Sequence, residues 1–456
     1  MRVFLKRIFL TPVLVMLMAG CGGDDPVVAD IQVLNAVPDT SVASFTFNQA
    51  LNLGNFDFRQ GSNRFSLHAR DYSLTVLTQV AGVTVTLLDE VNVSLLADES
   101  YTLALIGRLN DSSVKQMLIP GSIEPVGADN IRVQTVNLAP GAPSYDVYVT
   151  TPGADLTASV PLGGVAFREF SEPVEMPAGD YQIRVTVSGD PSTVVHDTGT
   201  LIFTAEGLDL VLALVENTRM RLGPVSLVIH DTVNPIEVLD VAATANLRAI
   251  HLAPAVDPAV NEVDIILDDD LVNPLISGLT FPTVTPYNNL ASANYNIKSV
   301  DTPTQSIFGI DITVPLLVGT DYTLLAFESV DASVPMQGLV LVEDSRGLGF
   351  QAKIRFVNGA PSESSIDIYV LTPGESIDDF VPSIPNVVFQ FDAGYLLIPA
   401  GEFEITATVA GDSSQILIPT IPVTLDSGGV YTYIARDAAG GGAPIEWIAL
   451  TDNPGF

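Results

Sequence analysis

The sequence predicts an all-β fold of four tandem immunoglobulin-like antiparallel β-sandwich domains, placed after an N-terminal export signal. Short runs rich in Val, Ile, Thr and Tyr alternate with Gly, Pro and Asp turns, and no capped helical run interrupts them. One opening phrase recurs four times at a spacing of about 100 residues, the usual size of such a sandwich. Hydrophobic residues make up 47% of the chain, which is enough for every domain to bury a core.

The opening phrase combines a strand with the turn that ends it. In each copy a proline lies three positions after Asn35, Asn137, His251 or Asn358. The fixed φ and the missing N–H of proline end a strand at that point. The four copies predict sandwich domains at residues 30–126, 127–240, 245–346 and 350–456.

The linkers between these domains are only a few residues long. Linkers of that length favour a stiff rod over an array of flexibly joined domains. Because each repeat carries a full set of strand phrases, we expect each one to fold on its own.

A tyrosine begins a late strand in three of the four repeats. These residues are Tyr101, Tyr322 and Tyr431, and the second repeat has Leu208 instead. In immunoglobulin-like domains a tyrosine near this point bonds through its hydroxyl to upstream backbone. We predict this structural role for the three tyrosines, and stacking on a ligand is the alternative.

The first 20 residues have the three parts of an export signal. A positively charged start at 1–7 precedes an apolar run of eleven residues, Ile8–Met18, and then small residues before Cys21. As a helix the apolar run would rise about 16 Å, only half the thickness of a membrane's hydrocarbon core. Residues 1–20 are therefore predicted to be a signal peptide rather than a membrane span.

The end of this segment, Met18-Ala19-Gly20-Cys21, resembles the lipobox of bacterial lipoproteins. By that resemblance Cys21 becomes the acylated N-terminus, and residues 21–29 form a lipidated tether. Cys21 is the only cysteine of the chain, so a disulfide within the chain is excluded. Gly22 after the cysteine is compatible with transfer to the outer membrane. The expected location is the cell envelope, on either the periplasmic or the surface face.

Two phrases of the second and fourth repeats carry a further resemblance. They are Asn-x-Ala-Pro, beginning at Asn137 and Asn358, and Asp-(Val/Ile)-Tyr-Val, beginning at Asp146 and Asp367. With these phrases the chain from about Ala29 onward resembles the bacterial domain-of-unknown-function 4397 family, a β-sandwich unit often found in tandem in envelope proteins. The resemblance implies no activity, cofactor or catalytic residue.

Acidic residues dominate the charge of the chain. Its formal net charge is −34 at pH 7, and the export signal contains three of its 19 basic residues. Such a charge repels nucleic acid and anionic lipid headgroups. A dispersed acidic surface is expected to serve solubility, and the alternative is attraction of a basic envelope partner or of calcium.

The motifs of known enzyme classes are missing or incomplete. His196-Asp197-Thr198-Gly199 resembles the loop of aspartic proteases, but those enzymes need two such aspartates; a hairpin turn is predicted here. The four histidines lack zinc spacing. Asp268-Asp269-Asp270 has carboxylates for calcium but lacks the glycine and terminal Glu of an EF-hand loop, so a solvated turn is favoured. The sequence therefore predicts neither catalytic residues nor a metal or cofactor site.

These observations predict a non-catalytic envelope protein, a lipid-anchored rod that binds or spaces an unknown envelope protein or glycan. Ligand contact is expected on distal loops such as 372–385. The alternative is an envelope hydrolase that acts on glycan or peptide through a pair of carboxylates.

One charge pattern recurs in the last three repeats. The second position of the opening strand is an arginine and the next strand carries an aspartate, whereas the first repeat has Gln32 and Ser44. Because the separations are all even, the two strands are predicted to be antiparallel neighbours whose charges share a face. A ligand-binding acidic site is the alternative. The predicted pairs are Arg132 with Asp146, Arg248 with Asp264, and Arg355 with Asp367.

Overall fold

The computed structural model describes residues 27–204, 207–219, 222–254, 262–302, 306–329 and 335–455. The predicted export signal, Cys21 and most of the predicted tether lie outside these residues. The chain divides into two compact units, Met1–Ala242 and Ala243–Phe456. Each unit contains two β-sandwiches, which we number 1 to 4 in chain order.

Every sandwich has the same plan of two sheets. We call the sheet around the first strand the opening sheet, and the other the second sheet. In sandwich 1 the opening sheet has the order β4-β1-β7-β8 and the second sheet β3-β2-β5-β6. The strands of sandwich 1 are β1 (Val28–Asn35), β2 (Val42–Phe47), β3 (Leu51–Asp57), β4 (Phe65–His68), β5 (Asp71–Val80), β6 (Val83–Ser94), β7 (Ser100–Ile106) and β8 (Lys115–Pro120).

Sandwich 2 has one more strand, at the edge of its opening sheet. The orders are β12-β9-β15-β16-β17 and β11-β10-β13-β14. A three-residue 3-10 helix, Leu156–Ala158, follows the second strand. The strands are β9 (Asn130–Asn137), β10 (Tyr145–Thr150), β11 (Gly163–Val165), β12 (Val174–Pro177), β13 (Gly179–Val187), β14 (Asp190–Phe203), β15 (Leu208–Glu216), β16 (Val225–His230) and β17 (Pro235–Val238).

Sandwiches 3 and 4 return to eight strands in the order of sandwich 1. A 3-10 helix, Ile377–Asp379, follows the second strand of sandwich 4. Sandwich 3 has β18 (Ala245–Leu252), β19 (Glu262–Leu267), β20 (Ile276–Thr280), β21 (Asn288–Leu290), β22 (Ala293–Asp301), β23 (Ile307–Leu316), β24 (Asp321–Glu328) and β25 (Met336–Glu343). Sandwich 4 has β26 (Gln351–Asn358), β27 (Ser365–Leu371), β28 (Ile384–Val388), β29 (Asp392–Pro399), β30 (Gly401–Val409), β31 (Asp412–Leu425), β32 (Gly429–Arg436) and β33 (Glu446–Pro454).

The four all-β sandwiches confirm the predicted fold class, but the sheets are not wholly antiparallel. Each opening strand runs parallel to its neighbour in the middle of the opening sheet, as Ile31 with Tyr101 and Ile354 with Tyr431 show. The second strand of each repeat starts the other sheet instead of pairing with the first. No helix among the described residues is long and apolar enough to cross a membrane.

The opening strands are buried on both faces. In β26 the side chains of Ile354 and Phe356 pack into the core between the two sheets of sandwich 4. Val357, on the opposite face of the strand, packs against Ile250 and Phe327 of sandwich 3. A matching cluster of apolar side chains joins the opening sheets of sandwiches 1 and 2. Two neighbouring sandwiches therefore share a second core within each unit.

The predicted structural role of the three tyrosines is confirmed. Each hydroxyl accepts a hydrogen bond from the backbone N–H five residues upstream, which fixes the turn before the strand. The bonds run from Leu96 to Tyr101 (3.3 Å), from Leu317 to Tyr322 (2.9 Å) and from Asp426 to Tyr431 (3.1 Å).

Candidate functional site

The predicted Arg–Asp pairs are wrong, because the two residues of each pair lie in different sheets. Arg132 is on β9 of the opening sheet, whereas Asp146 is on β10 of the second sheet. The same holds for the other two pairs, Arg248 with Asp264 and Arg355 with Asp367. An even sequence separation fits a chain that crosses between sheets as well as one that folds back in a hairpin. The separations therefore could not distinguish the two arrangements.

The three aspartates hold nearby backbone and hydroxyl groups. Asp367 accepts hydrogen bonds from the backbone N–H groups of Asn386 (2.7 Å) and Gly411 (2.8 Å). Asp146 binds the Gly189 N–H at 2.7 Å, at the tip of the matching hairpin. Asp264 accepts from the N–H of Gly278 and from the hydroxyl of Thr302. These carboxylates have a structural use, because they bind donors on a neighbouring strand and in the turns between strands.

The arginines instead face the neighbouring sandwich. In unit 1, Arg132 forms a bidentate ion pair with Asp209, with N–O distances of 3.0 and 2.8 Å. Arg64 of sandwich 1 binds the same carboxylate at 2.8 Å. Burial raises the pKa of Asp209, but the two guanidinium groups more than offset this, and the net pKa is lowered. Asp209 therefore stays ionised and ties the two sandwiches together.

Unit 2 has a larger buried cluster at the corresponding place. Its centre is Glu343, whose side chain has no exposed surface. Glu343 accepts from both Arg248 and Arg355, the second-position arginines of the two opening strands. Arg248 also reaches Asp452 of sandwich 4 at 2.8 Å. Charges from both sandwiches are thus paired across their contact.

Two tyrosines complete this cluster in a nearly symmetric way. Tyr287 of sandwich 3 donates its hydroxyl to Asp452, and Tyr395 of sandwich 4 donates to Glu343. Each ring also lies 4.6 Å from the guanidinium of its own sandwich's arginine. Burial raises the pKa of both tyrosines, so both hydroxyls remain donors. Burial also raises the pKa of Asp452, although Arg248 opposes the rise.

Three of the four histidines are buried. His230 bonds through Nε2 to the backbone oxygen of Ser62 at 2.9 Å, and burial lowers its pKa to about 4. His251 accepts the N–H of Ala253 at Nδ1 (3.2 Å), and burial lowers its pKa to about 4 as well. Burial lowers the pKa of His196 too. Among the described residues, no group of three His, Cys, Asp or Glu could hold a metal ion.

The protease-like string is not in a hairpin turn, and that prediction is wrong. Residues 196–199 lie inside β14, next to a register shift in its pairing with β13. Asp197 there accepts from the side chain of Gln182 and from the N–H of Gly199. A carboxylate that binds its own strand and its neighbour has a structural use.

The three consecutive aspartates after β19 occupy a turn, and each binds a group of the protein. Asp268 accepts the N–H of Asn296, and Asp269 pairs with Lys298. Asp270 accepts from the backbone N–H groups that follow it in the turn. The carboxylates of the calcium candidate are thus used in holding the end of the strand.

A cleft of about 350 Å³ opens beside the loop 372–385, at one end of the second sheet in sandwich 4. That volume falls within the range of small-ligand sites. Glu375 accepts the N–H of Thr372 (3.0 Å), and Glu404 on β30 accepts that of Gly374 (3.3 Å). The lining includes Leu371, Glu375, Ile377, Glu404, Thr406 and Ile416.

The model of the family described as "Domain of unknown function (DUF4397)" matches this chain at residues 29–148, 140–261 and 245–369. The chain belongs to the DUF4397 family. The resemblance predicted from the sequence is thereby confirmed. Sandwich 4 lies mostly beyond the third match, yet this DUF4397 chain builds it with the strand order of sandwiches 1 and 3.

A comparison of this DUF4397 chain with curated proteins gives no match. Among solved structures, the chain is similar to the Bacillus anthracis TIE protein at 9% identity, with 92% of this chain and 76% of that chain covered. The TM-score of this comparison is 0.17.

The sequence predictions missed the acidic partners in this DUF4397 chain. Glu343 is the last residue of β25, and Asp452 lies two residues before the end of β33. An acidic residue near the end of the last strand is the signal that was available. Asp209 has no such counterpart, because the other repeats have threonine where it stands. Glu404 of the cleft follows Phe403, in a stretch whose sequence predicts only a turn and a strand and gives no sign of a binding site.

Proposed function

We propose that this DUF4397 chain is a non-catalytic, lipid-anchored cell-envelope protein that acts as a binding or spacing module. The observation that carries this proposal is the contact between two sandwiches of one unit. Its apolar side chains and its buried charges are both shared by the two sandwiches, as Glu343 shows with Arg248 and Arg355. Such a contact resists bending between the two domains. A unit of this kind suits holding a partner at a fixed distance.

The use of the charged residues supports the non-catalytic part of the proposal. Asp146, Asp264 and Asp367 bind backbone donors of neighbouring strands and turns, and Asp209 joins two sandwiches. An acid or base in catalysis must instead reach a substrate. The carboxylates that recur between repeats are thus engaged in holding the fold.

The location rests on the N-terminal sequence. Residues 1–20 have the form of an export signal, and Cys21 follows it. Several acyl chains on one residue would keep the protein at a membrane, since each buried methylene contributes about 0.8 kcal/mol. We place the chain in the envelope, at the outer membrane, and its rod-like form stays a prediction.

Cell fractionation tests the anchoring. We expect the unchanged chain in the membrane fraction and the Cys21→Ser chain in the soluble fraction. Gly20→Ala is the matched control, because it keeps a small residue before the cysteine and should leave the chain at the membrane. A Cys21→Ser chain that stays with the membrane would refute the anchor.

One observation favours an envelope hydrolase as a second candidate. Glu375 and Glu404 both line the cleft of sandwich 4, so that two carboxylates are offered to one space. Glycosidases use such a pair, with one residue as acid and the other as base or nucleophile. The test is release of reducing ends from purified envelope glycan, and of amino groups from envelope peptide. Activity that disappears in Glu404→Gln would support this candidate over the binding module.

A further inference from the structure

The four sandwiches differ at one position beneath their distal loops. Strand register identifies this position, because in each repeat it pairs with the residue at the equivalent position of the second strand. Two repeats carry a basic side chain there, and two carry threonine. The four residues are Thr75, Arg184, Lys298 and Thr406.

In sandwich 2 the basic side chain fills the space under the loop. The Nη2 atom of Arg184 donates to the hydroxyl of Thr150 (3.1 Å) and to the backbone oxygen of Ala154 (2.6 Å). In sandwich 3, Lys298 makes the corresponding contact with Asp269 in the turn after β19. In both repeats a cation from the sheet binds the segment that follows the second strand.

Sandwich 4 has threonine where sandwiches 2 and 3 have this basic side chain, and it has acidic groups around the same space. The hydroxyl of the buried Thr406 bonds that of Thr420 at 2.7 Å, and the cleft opens beside them. Glu375 stands in the loop where sandwich 2 has Ala154. Glu404 stands on the strand where sandwich 2 has Gln182. The position that corresponds to the Arg184 guanidinium of sandwich 2 is therefore a solvent-filled cleft in sandwich 4, and the carboxylates of Glu375 and Glu404 line it.

We propose that this cleft binds the side chain of an arginine or lysine from a basic protein partner. Its walls fit both parts of such a side chain. The carboxylates of Glu375 and Glu404 suit the charged end, and Leu371 and the half-exposed Ile416 suit the apolar stem. The proposal rests on the proposed function, since it names the partner of a binding module.

The charge of the whole chain favours the same partner. At a net charge of −34 the protein attracts basic segments and raises the rate at which they meet it. A divalent cation is the other ligand that two carboxylates attract. Sandwich 2 supplies the argument for a side chain, because it places an arginine in the equivalent space.

The test uses the full chain in mild detergent with labelled isoleucine methyl groups, since Ile377 and Ile416 line the cleft. The probe is the peptide acetyl-Gly-Arg-Gly-amide, and the control peptide has neutral citrulline in place of arginine. We expect the arginine peptide to shift the two methyl resonances in a saturable way. The citrulline peptide should bind at least about tenfold more weakly, the effect of losing a charge-assisted hydrogen bond.

Two substitutions at matched positions test whether the cleft is the site. Thr406→Arg gives sandwich 4 the internal cation that sandwich 2 has in Arg184. This variant should no longer bind the arginine peptide. Thr75→Arg makes the same change at the same register position of sandwich 1 and should leave binding unchanged. Glu404→Gln, which reproduces Gln182, should weaken binding even if Thr406→Arg disturbs the fold.

Three results would overturn the proposal. They are equal binding of the two peptides, shifts that persist in Thr406→Arg, and absence of shifts with the arginine peptide. Calcium ions that give the same shifts and displace the peptide would reassign the cleft to a metal. None of these results bears on the anchor, because the fractionation of Cys21→Ser does not involve the cleft.

Discussion

Arg355 and Glu343 form an ion pair that is buried between the third and fourth sandwiches. The Glu343 side chain has no exposed surface, and that of Arg355 keeps 1%. Arg248, Thr323 and Tyr395 bind the same carboxylate. One acidic residue therefore satisfies donors from both sandwiches of unit 2.

Replacing Glu343 with alanine is expected to destabilise unit 2 by about 3–5 kcal/mol, the usual result of removing one partner from a buried ion pair. The loss leaves two guanidinium groups short of an acceptor. Urea unfolding of the full chain, followed by the fluorescence of Trp447, measures the change. As a control, Glu446→Ala removes a half-exposed partner of Arg436 and should cost less than about 1 kcal/mol. Equal losses in the two variants would contradict the central role of Glu343.

His251 should make unit 2 sensitive to acid. Its pKa is lowered to about 4 in the folded chain, whereas an unfolded histidine has a pKa of about 6.5. Between these values the unfolded state binds more protons, so stability is complete above about pH 6.5 and falls as the pH drops toward 4. The full loss is about 3 kcal/mol at 1.36 kcal/mol per pKa unit.

The other repeats supply the matched variant for this prediction. Asn35, Asn137 and Asn358 stand where His251 does, and each accepts the N–H two residues on, as His251 does. His251→Asn should therefore keep the fold and flatten the stability of unit 2 between pH 6.5 and 4. Thermal unfolding at a series of pH values measures this. A variant that remains as acid-sensitive as the parent would show that other groups dominate.

Asp367→Ala should destabilise sandwich 4 by about 1.5–3 kcal/mol, as expected for hydrogen bonds to a charged group. The aspartate binds the N–H groups of Asn386 and Gly411, and the alanine variant leaves both without this acceptor. Asp367→Asn keeps one acceptor oxygen and should lose less. Denaturant unfolding compares the two. An alanine variant as stable as the parent would reopen this aspartate as a candidate ligand.

The pair of sandwiches, rather than the single repeat, is expected to be the folding unit. The fragment Ala243–Phe456 should unfold in one cooperative transition reported by Trp447, which packs against Phe356. The fragment Gln351–Phe456 should unfold at lower urea concentration, because Val357 and Ile434 lose the apolar side chains of sandwich 3 that cover them. Equal midpoints would instead support the expectation from the sequence that each repeat folds on its own.

The fold could be predicted because the strand phrases repeat. Proline after Asn358, and after its counterparts, marks the end of each opening strand, and the late tyrosines mark another strand. In the opening strand of sandwich 4 the apolar residues Ile354 and Phe356 alternate with Lys353 and Arg355, and the apolar pair lies in the core. The alternation does not reveal that a neighbouring sandwich packs against the other face of the strand. A polar face that meets a neighbouring domain has the same pattern as one that meets water.

The candidate site could be predicted only in part. The loop 372–385 was expected to offer ligand contacts, and Glu375 and Ile377 of that loop line the cleft. Glu404 and Thr406 come from a strand 30 residues farther along, as the bond between Glu404 and Gly374 shows. Their meeting with the loop depends on strand register, and a single sequence does not fix register between strands that are not joined by a tight turn.

The parallel pairing of the opening strand affects how fast each repeat folds. Arg355 contacts Thr432 across a sequence separation of 77 residues, and Gln32 contacts Thr102 across 70. Pairing between strands so distant in sequence costs loop entropy before it returns any contact, and domains of this type fold in roughly milliseconds to seconds. Until the seventh strand is in place, the opening strand has an exposed, apolar edge. A newly made chain is therefore most exposed to aggregation while its repeats are still incomplete.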